Sequence, residues 1–225
     1  MKALNLFPLT VAKDVINIDN QERASLIKEI ENMQLQTNTE STYAWTGDTK
    51  GHEFLFGNSL FKNLGKKISN SIIKYLQLLE INTNLLDIYF QRSWATYTKT
   101  EQSINFHTHS QSNISFAYYL LKPKDSGGII FRSNELQNEI AKNIFTSSKL
   151  EKSLINKPNA YNSDKSVFDL DQDSIIIFPS KTPHATLPNK SGQVRISISG
   201  DITIMLKDSS GFEHLMPNFN NWTKF

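Results

Sequence analysis

The sequence predicts an α+β protein: two helices come first, and seven or eight short strands follow, closing into a barrel or sandwich with the helices packed on one outer face. Three observations predict it. Apolar residues recur at three- and four-residue spacing up to Leu79; from Leu85 onward the runs are short and rich in Ile, Phe, Tyr, Val and Ser; and Gly, Pro, Asp and Asn punctuate those runs. With 225 residues, 38% of them hydrophobic, the chain is long enough for one domain with a substantial core.

The elements follow in order. After a short apolar opening (Leu4, Leu6, Phe7, Leu9, Val11), Asp19 or Asn20 caps a first helix over 21–33, whose buried stripe is Leu26, Ile27 and Ile30. Residues 39–57, rich in Thr, Gly and aromatics, read as a loop. A second helix carries Leu60, Phe61, Leu64, Ile68, Ile72, Tyr75, Leu76 and Leu79 on one face, with Gly65 weakening it modestly. The strand runs are LLDIYFQRSWATYT at 85–98, SINFHTH at 103–109, NISFAYYLL at 113–121, GGIIFRS at 127–133, SVFDLD at 166–171, SIIIFPS at 174–180 and QVRISISGDITIML at 193–206. The polar stretch 133–164 interrupts them, with ELQNEIAKNIF as a short helix; a connection this long inside a compact domain is functional or mobile. The expected organisation is one domain over 1–225, with helical support at 1–84, a strand core at 85–204 with its insertion near 133–164, and an extension at 205–225.

Composition narrows the chemistry. There is no Cys, so disulfides, zinc–thiolate and iron–sulfur centres and cysteine nucleophiles are excluded. A transition metal here must be held by imidazole and oxygen. The formal net charge is +2 with no run of five like charges, which gives no electrostatic footprint for unaided duplex binding. The N-terminus develops no signal-peptide core, and no stretch approaches the roughly 20 apolar residues of a membrane span. A cytoplasmic protein that does not engage membranes is expected.

Three of the five His fall in two tight contexts: His107 and His109 in NFHTHSQ, and His184 in FPSKTPHATLP. Residues i and i+2 of a strand share a face, so His107 and His109 point the same way. Two imidazoles on one face bind a divalent metal when a third from a distant strand completes the set; the same HxH pattern also serves as exposed or hydrogen-bonded strand histidines. Arg195, Ser197 and Ser199 alternate with Val194, Ile196 and Ile198. An Arg facing a barrel lumen must be paired, and Arg suits a carboxylate held by two parallel hydrogen bonds; on a surface strand the same residue is simply solvated.

Taken together, HTH at 107–109, YYLLKPKDSGGIIF at 118–131, IIIFPSKTPHATLP at 175–188 and RIS at 195–197 resemble the iron(II)- and 2-oxoglutarate-dependent oxygenase superfamily. Within it the match is to the 2OG-Fe(II) oxygenase branch found in marine bacteria and phages, which locates the protein in the host cytoplasm if phage-encoded. The resemblance covers roughly 85–204, and the trailing HLMPNFNNW looks like that branch's tail. It implies a double-stranded β-helix, or jelly roll, with the N-terminal helices on the outer face of the major sheet. It implies His107 and His184 as iron ligands, with Arg195 gripping the distal carboxylate of 2-oxoglutarate and Ser197 assisting. Tyr119 and Tyr97 match cosubstrate-pocket tyrosines, although both also read as core aromatics. His109 stands where the superfamily has a carboxylate. The preferred reading is a three-His triad; if His109 does not ligate, the site is of the two-His kind that halogenases use. Three neutral imidazoles, iron(II) and the dianionic cosubstrate sum to zero charge.

The activity this implies is a dioxygenase, with hydroxylation as the expected outcome, coupling decarboxylation of 2-oxoglutarate to succinate with oxidation of a substrate by dioxygen. The substrate classes open at this point are a peptidyl residue, a nucleobase and a small molecule. Two rivals stand beside it: a cupin-type three-His dioxygenase that does not use 2-oxoglutarate, and a non-catalytic jelly-roll binding module. Arg195 in its RxS setting favours the first reading over both. Gly127 and Gly128 read as a tight turn. His52 and His214 read as surface or interface residues, and Trp45, Trp94 and Trp222 as packing. Asp87, Asp125 and Asp201 lack the i+2 relation to His107 and are not expected to ligate.

Overall fold

The computed structural model of the chain describes residues 1–2, 4–37, 41–133, 141, 144–145, 154–213 and 215–225. Most of the expected ELQNEIAKNIF helix, and His214, lie outside them. The fold is a jelly roll of the α+β class. Its major sheet has six strands in the order β1-β7-β4-β9-β3-β2, formed by β1 (Ala12–Val15), β2 (Trp45–Thr46), β3 (Leu86–Thr98), β4 (Ile114–Leu121), β7 (Ser174–Pro179) and β9 (Arg195–Leu206). The minor sheet is β6-β5-β8, from β5 (Ile129–Arg132), β6 (Lys165–Phe168) and β8 (His184–Thr186).

Helices α1 (Asn20–Thr37) and α2 (Lys62–Leu78) pack on the outer face of the major sheet. Asp19 caps α1: its carboxylate accepts from the Glu22 backbone N–H at 2.7 Å. The buried residues of α1 are Leu26, Ile30 and Gln34, with Ile27 half-buried, and α2 buries Leu64, Ile68, Ile72, Tyr75 and Leu76. They close over Ile175 and Ile177 of β7, Tyr118 and Leu120 of β4, and Ile196, Ile198 and Ile202 of β9. Full burial of each large apolar side chain stabilises the fold by about 1.5–3 kcal/mol. Gly65 sits where α2 meets the Phe56 ring, which a Cβ there would approach to 3.2 Å; the residue that weakens the helix lets it dock.

Four expected elements differ in the structure. The 1–84 segment is more than helical support, because β1 and β2 belong to the major sheet; the alternation Val11, Lys13, Val15 against Ala12, Asp14, Ile16 was the signal for β1. The loop at 39–57 contains β2, and the strand core runs past 204 to Leu206. SINFHTH forms no regular strand: it is joined to β8 at a single bridge, His107 to His184, whose backbones exchange two hydrogen bonds of 3.0 Å.

Opposed residues of an antiparallel pair share a face. Thr98 opposes Arg195, Thr96 opposes Ser197, Trp94 opposes Ser199, and Ser115 of β4 opposes Asp201. These residues look inward, between the sheets. Their neighbours Ala95, Tyr97, Ile196 and Ile198 look outward to the helices.

Candidate active site

Between the sheets lies a cavity of about 550 Å³, lined among others by His107, His109, His184, Tyr119, Arg195 and Ser197. The three histidines converge from two places in the chain. His107 is held by its bridge to β8, His109 by a 3.0 Å hydrogen bond from its N–H to the Ser180 carbonyl, and His184 opens β8 opposite Phe131. Their ring centroids lie 4.3, 5.0 and 5.2 Å apart, and one nitrogen from each ring lies within 4.8 Å of the others. His109 and His184 are buried, and His107 is the open member.

The hydrogen bonds fix the tautomers. His107 Nδ1 meets the Asn105 carbonyl at 2.8 Å, His184 Nδ1 meets the Thr182 carbonyl at 2.9 Å, and His109 Nδ1 meets Asp201 Oδ1 at 2.6 Å. Carbonyls and carboxylates only accept, so each Nδ1 is the donor and each neutral ring keeps its lone pair on Nε2. The Nε2 of His109 is buried and has no hydrogen-bond partner among the described residues. A buried lone pair without a donor costs free energy unless something else takes it. Burial lowers the His107 pKa despite its hydrogen bond to Asn105. Burial and then the proximity of His107 push the His184 pKa down to about 3. Three imidazoles whose Nδ1 atoms are spent on acceptors offer their Nε2 atoms as a metal-binding donor set, and they fit iron(II).

Arg195 is 1% exposed. Its Nη1 donates to the carbonyls of Ser126 at 2.6 Å and Gly127 at 3.1 Å, and its Nη2 donates to Thr98 Oγ1 at 3.4 Å. Among the described residues no carboxylate forms an ion pair with it. Burial lowers its pKa from the ordinary arginine value, against the pull of Tyr119 and Asp169. A buried cation hydrogen-bonded, among the described residues, only to neutral oxygens can take an anion from outside. Gly127, at φ +79, shapes this pocket: a Cβ there would lie 2.6 Å from the Leu187 carbonyl and 3.1 Å from the guanidinium.

The two expected tyrosines separate. Tyr119 opposes Ser197 on the inward face, is buried with Phe178 and Ile129, and has its pKa raised by burial to about 12. Tyr97 opposes Ile196 on the outward face and packs against the helix-side core, reaching the cavity only at its wall. Its pKa is raised by burial and then by Glu31. Thr96 and Thr98 hold the inward positions that flank it.

Sequence reasoning missed the surroundings of His109. Asp201, set aside as a ligand, stands behind it and not in front. Trp94 stacks on the His109 ring at 5.7 Å and 16°, with the Arg92 guanidinium 5.3 Å above the indole. The signal was present: Asp201 continues the inward series Arg195, Ser197, Ser199 at i+2 steps. His52 stands apart from the triad near Trp45, and Asp87 is hydrogen-bonded to Asn218 on the far part of β3.

Residues 92–201 match the model of the family described as Putative 2OG-Fe(II) oxygenase. No protein of curated function matches the chain in sequence. Among solved structures the fold is similar to HygX from Streptomyces hygroscopicus with nickel and 2-oxoglutarate bound, at 7% identity over 87% of this chain and 83% of that one, with a TM-score of 0.55. It is similar to the viral collagen prolyl hydroxylase of Paramecium Bursaria Chlorella virus-1 in its 2OG complex, at 15% identity, 85% and 94% coverage and a TM-score of 0.51. A Pseudomonas putida prolyl-4-hydroxylase gives 13% identity, 87% and 92% coverage and a TM-score of 0.52. At such identities the likeness is one of fold.

Proposed function

We propose, from the match of residues 92–201 to the Putative 2OG-Fe(II) oxygenase family model, that this chain is a 2OG-Fe(II) oxygenase and a hydroxylase in which His107, His109 and His184 hold the iron(II) and Arg195 holds the 2-oxoglutarate. The observation that carries this reading is the set of three histidines whose Nδ1 atoms are all spent on acceptors, leaving three Nε2 lone pairs in one cavity. Iron(II) with 2-oxoglutarate and dioxygen, when bound, supplies oxidative decarboxylation to succinate coupled to oxidation of a substrate C–H bond.

The chain's own residues do the rest. Arg195 binds the distal carboxylate of the cosubstrate and gains the anion its pocket lacks, with Ser197 and Thr98 beside it as hydroxyl partners. Tyr119, opposite Ser197 on the inward face, lines the same cavity. Trp94, Phe178 and Ile129 line the cavity and exclude water from the reacting atoms. The substrate, a peptidyl residue or small molecule, enters on the side of the open His107, into a cavity whose lining also includes Tyr43 and Lys50. The buried guanidinium disfavours a three-His dioxygenase that dispenses with 2-oxoglutarate. The whole of 1–225 is taken as one oxygenase domain, supported by the entry of β1 and β2 into the major sheet.

The test is direct. Metal-free protein given iron(II) anaerobically and titrated with 2-oxoglutarate is expected to develop a weak visible charge-transfer band, and His184→Ala is expected to lose tight iron binding. No band together with no calorimetric binding of 2-oxoglutarate would refute the cosubstrate; a His184→Ala protein holding as much iron as the parent would refute the triad. The identity of the C–H bond attacked is read out by enhanced succinate release on adding candidate substrates.

A further inference from the structure

Asp201 is 0% exposed, a carboxylate at the centre of the major sheet. Its Oδ1 takes the Nδ1–H of His109 at 2.6 Å and lies 3.1 and 3.2 Å from the hydroxyls of Ser115 and Ser112. Its Oδ2 accepts from Gln111 Nε2 at 2.9 Å. Ser180 ties the two serines together, with its Oγ 2.8 Å from each, and its carbonyl accepts the backbone N–H of His109. No Arg or Lys is paired with Asp201 among the described residues; His109 is the one ionisable group bonded to it. Removing a carboxylate from water is costly without a compensating positive charge. Serine and glutamine dipoles satisfy its lone pairs but bring no net charge.

The far side of the same imidazole supplies the missing charge. His109 Nε2 is buried, unpartnered and on the cavity side, so a divalent ion held there faces Asp201 through the ring. We propose that Asp201 is a positioning residue that tunes the metal through His109. It fixes the tautomer and aim of the ring, raises the basicity of Nε2, and places one negative charge behind an otherwise neutral three-imidazole donor set. Trp94, stacked on the His109 face, holds the ring against rotation about that axis. The carboxylate thus acts from one shell out: it is excluded from direct ligation because the imidazole fills the space between it and the cavity. This inference rests on the metal-site reading above and goes beyond it by assigning a function to a residue outside the donor set.

The experiment uses the full chain and two variants, Asp201→Asn and His184→Ala, with cobalt(II) affinity followed by its visible absorption and the iron(III)/iron(II) potential as readouts. Circular dichroism and melting of the metal-free proteins establish that each variant folds. Asn keeps the size and an acceptor oxygen but removes the charge. Loss of a charged outer partner is expected to weaken cobalt binding about 10–100-fold, and to raise the iron potential, because the higher oxidation state depends most on nearby negative charge. His184→Ala is expected to lose more affinity than Asp201→Asn. If His184→Ala loses cobalt while Asp201→Asn keeps both parental affinity and parental potential, the role of Asp201 is refuted and the metal site stands. If His184→Ala keeps its cobalt, the metal site itself is refuted, and this inference with it. Should Asp201→Asn not fold, Gln111→Ala carries the test: by loosening Oδ2 from the surface side it is expected to move affinity and potential in the same directions by smaller amounts, and unchanged values would overturn the proposal.

Discussion

The two faces of β9 are made by alternate residues of one strand, yet they obey different rules. Ile196, Ile198, Ile202 and Ile204 look outward and are buried against the helices. Arg195, Ser197, Ser199, Asp201 and Thr203 look inward. Both sets are largely removed from water, so burial alone does not distinguish them. The outward face gains free energy from burial and tolerates any side chain of suitable shape. The inward face loses free energy unless every polar atom finds a partner. On it, among the described residues, Arg195 is hydrogen-bonded only to neutral oxygens and Thr203 Oγ1 has no hydrogen-bond partner. The helix-side core therefore offsets the cost of an inner face whose polar groups are incompletely paired.

The largest expected effect lies on the outward face. Ile198→Ala removes a fully buried side chain from the middle of the sheet and should destabilise the protein by about 2–5 kcal/mol, read from urea unfolding of the metal-free protein. The 2-oxoglutarate affinity of the folded fraction should not change. A loss of affinity comparable with that of an inward-face variant would break the comparison, because it would mean that the two faces do not act independently.

Arg195→Ala is the converse on the same strand. It should weaken 2-oxoglutarate binding by about 2–4 kcal/mol, because the bound carboxylate loses its charged partner in a water-poor pocket. Isothermal titration of the iron-loaded protein measures it. Unchanged affinity would remove the cosubstrate from Arg195 and leave the buried guanidinium as a structural tie between the 126–127 turn and Thr98.

How far each face was legible from sequence follows from the same contrast. Periodicity exposed the helices and the outward isoleucines, because burial by hydrophobic contact repeats at 3.6 or 2 residues. The meeting of His107, His109 and His184 was anticipated only through the family resemblance, since HxH alone also fits exposed or hydrogen-bonded strand histidines. The i+2 series marked Asp201 as inward, but its role was hidden, because that depends on lying opposite Ser115 and behind His109, residues 86 and 92 positions away in the chain. The irregular path at 103–109 was equally hidden: SINFHTH has the composition of a strand, but the pairing available to it beside β8 amounts to one bridge. β1 escaped notice because it is a four-residue edge strand, too short for its alternation to stand out from the apolar opening around it.

The smallest expected effect is the sharpest test of strand parity. Tyr97 and Tyr119 look equivalent in sequence, each near a proposed ligand, and the resemblance assigned both to the cosubstrate pocket. The register separates them: Tyr119 shares the face of Ser197, and Tyr97 shares the face of Ile196. A hydroxyl that bonds a carboxylate contributes about 0.5–1.5 kcal/mol for a neutral donor. Tyr119→Phe should therefore weaken 2-oxoglutarate by up to about tenfold while retaining the packing of the ring, and Tyr97→Phe should leave that affinity unchanged. Calorimetry on the two iron-loaded variants decides between them. Equal losses would mean that the cosubstrate reaches past the edge of the sheet to the cavity wall where Tyr97 stands. A loss at Tyr97 alone would reverse the assignment of the inward face at this end of β3, and with it the placement of Thr96 and Thr98 beside the cosubstrate.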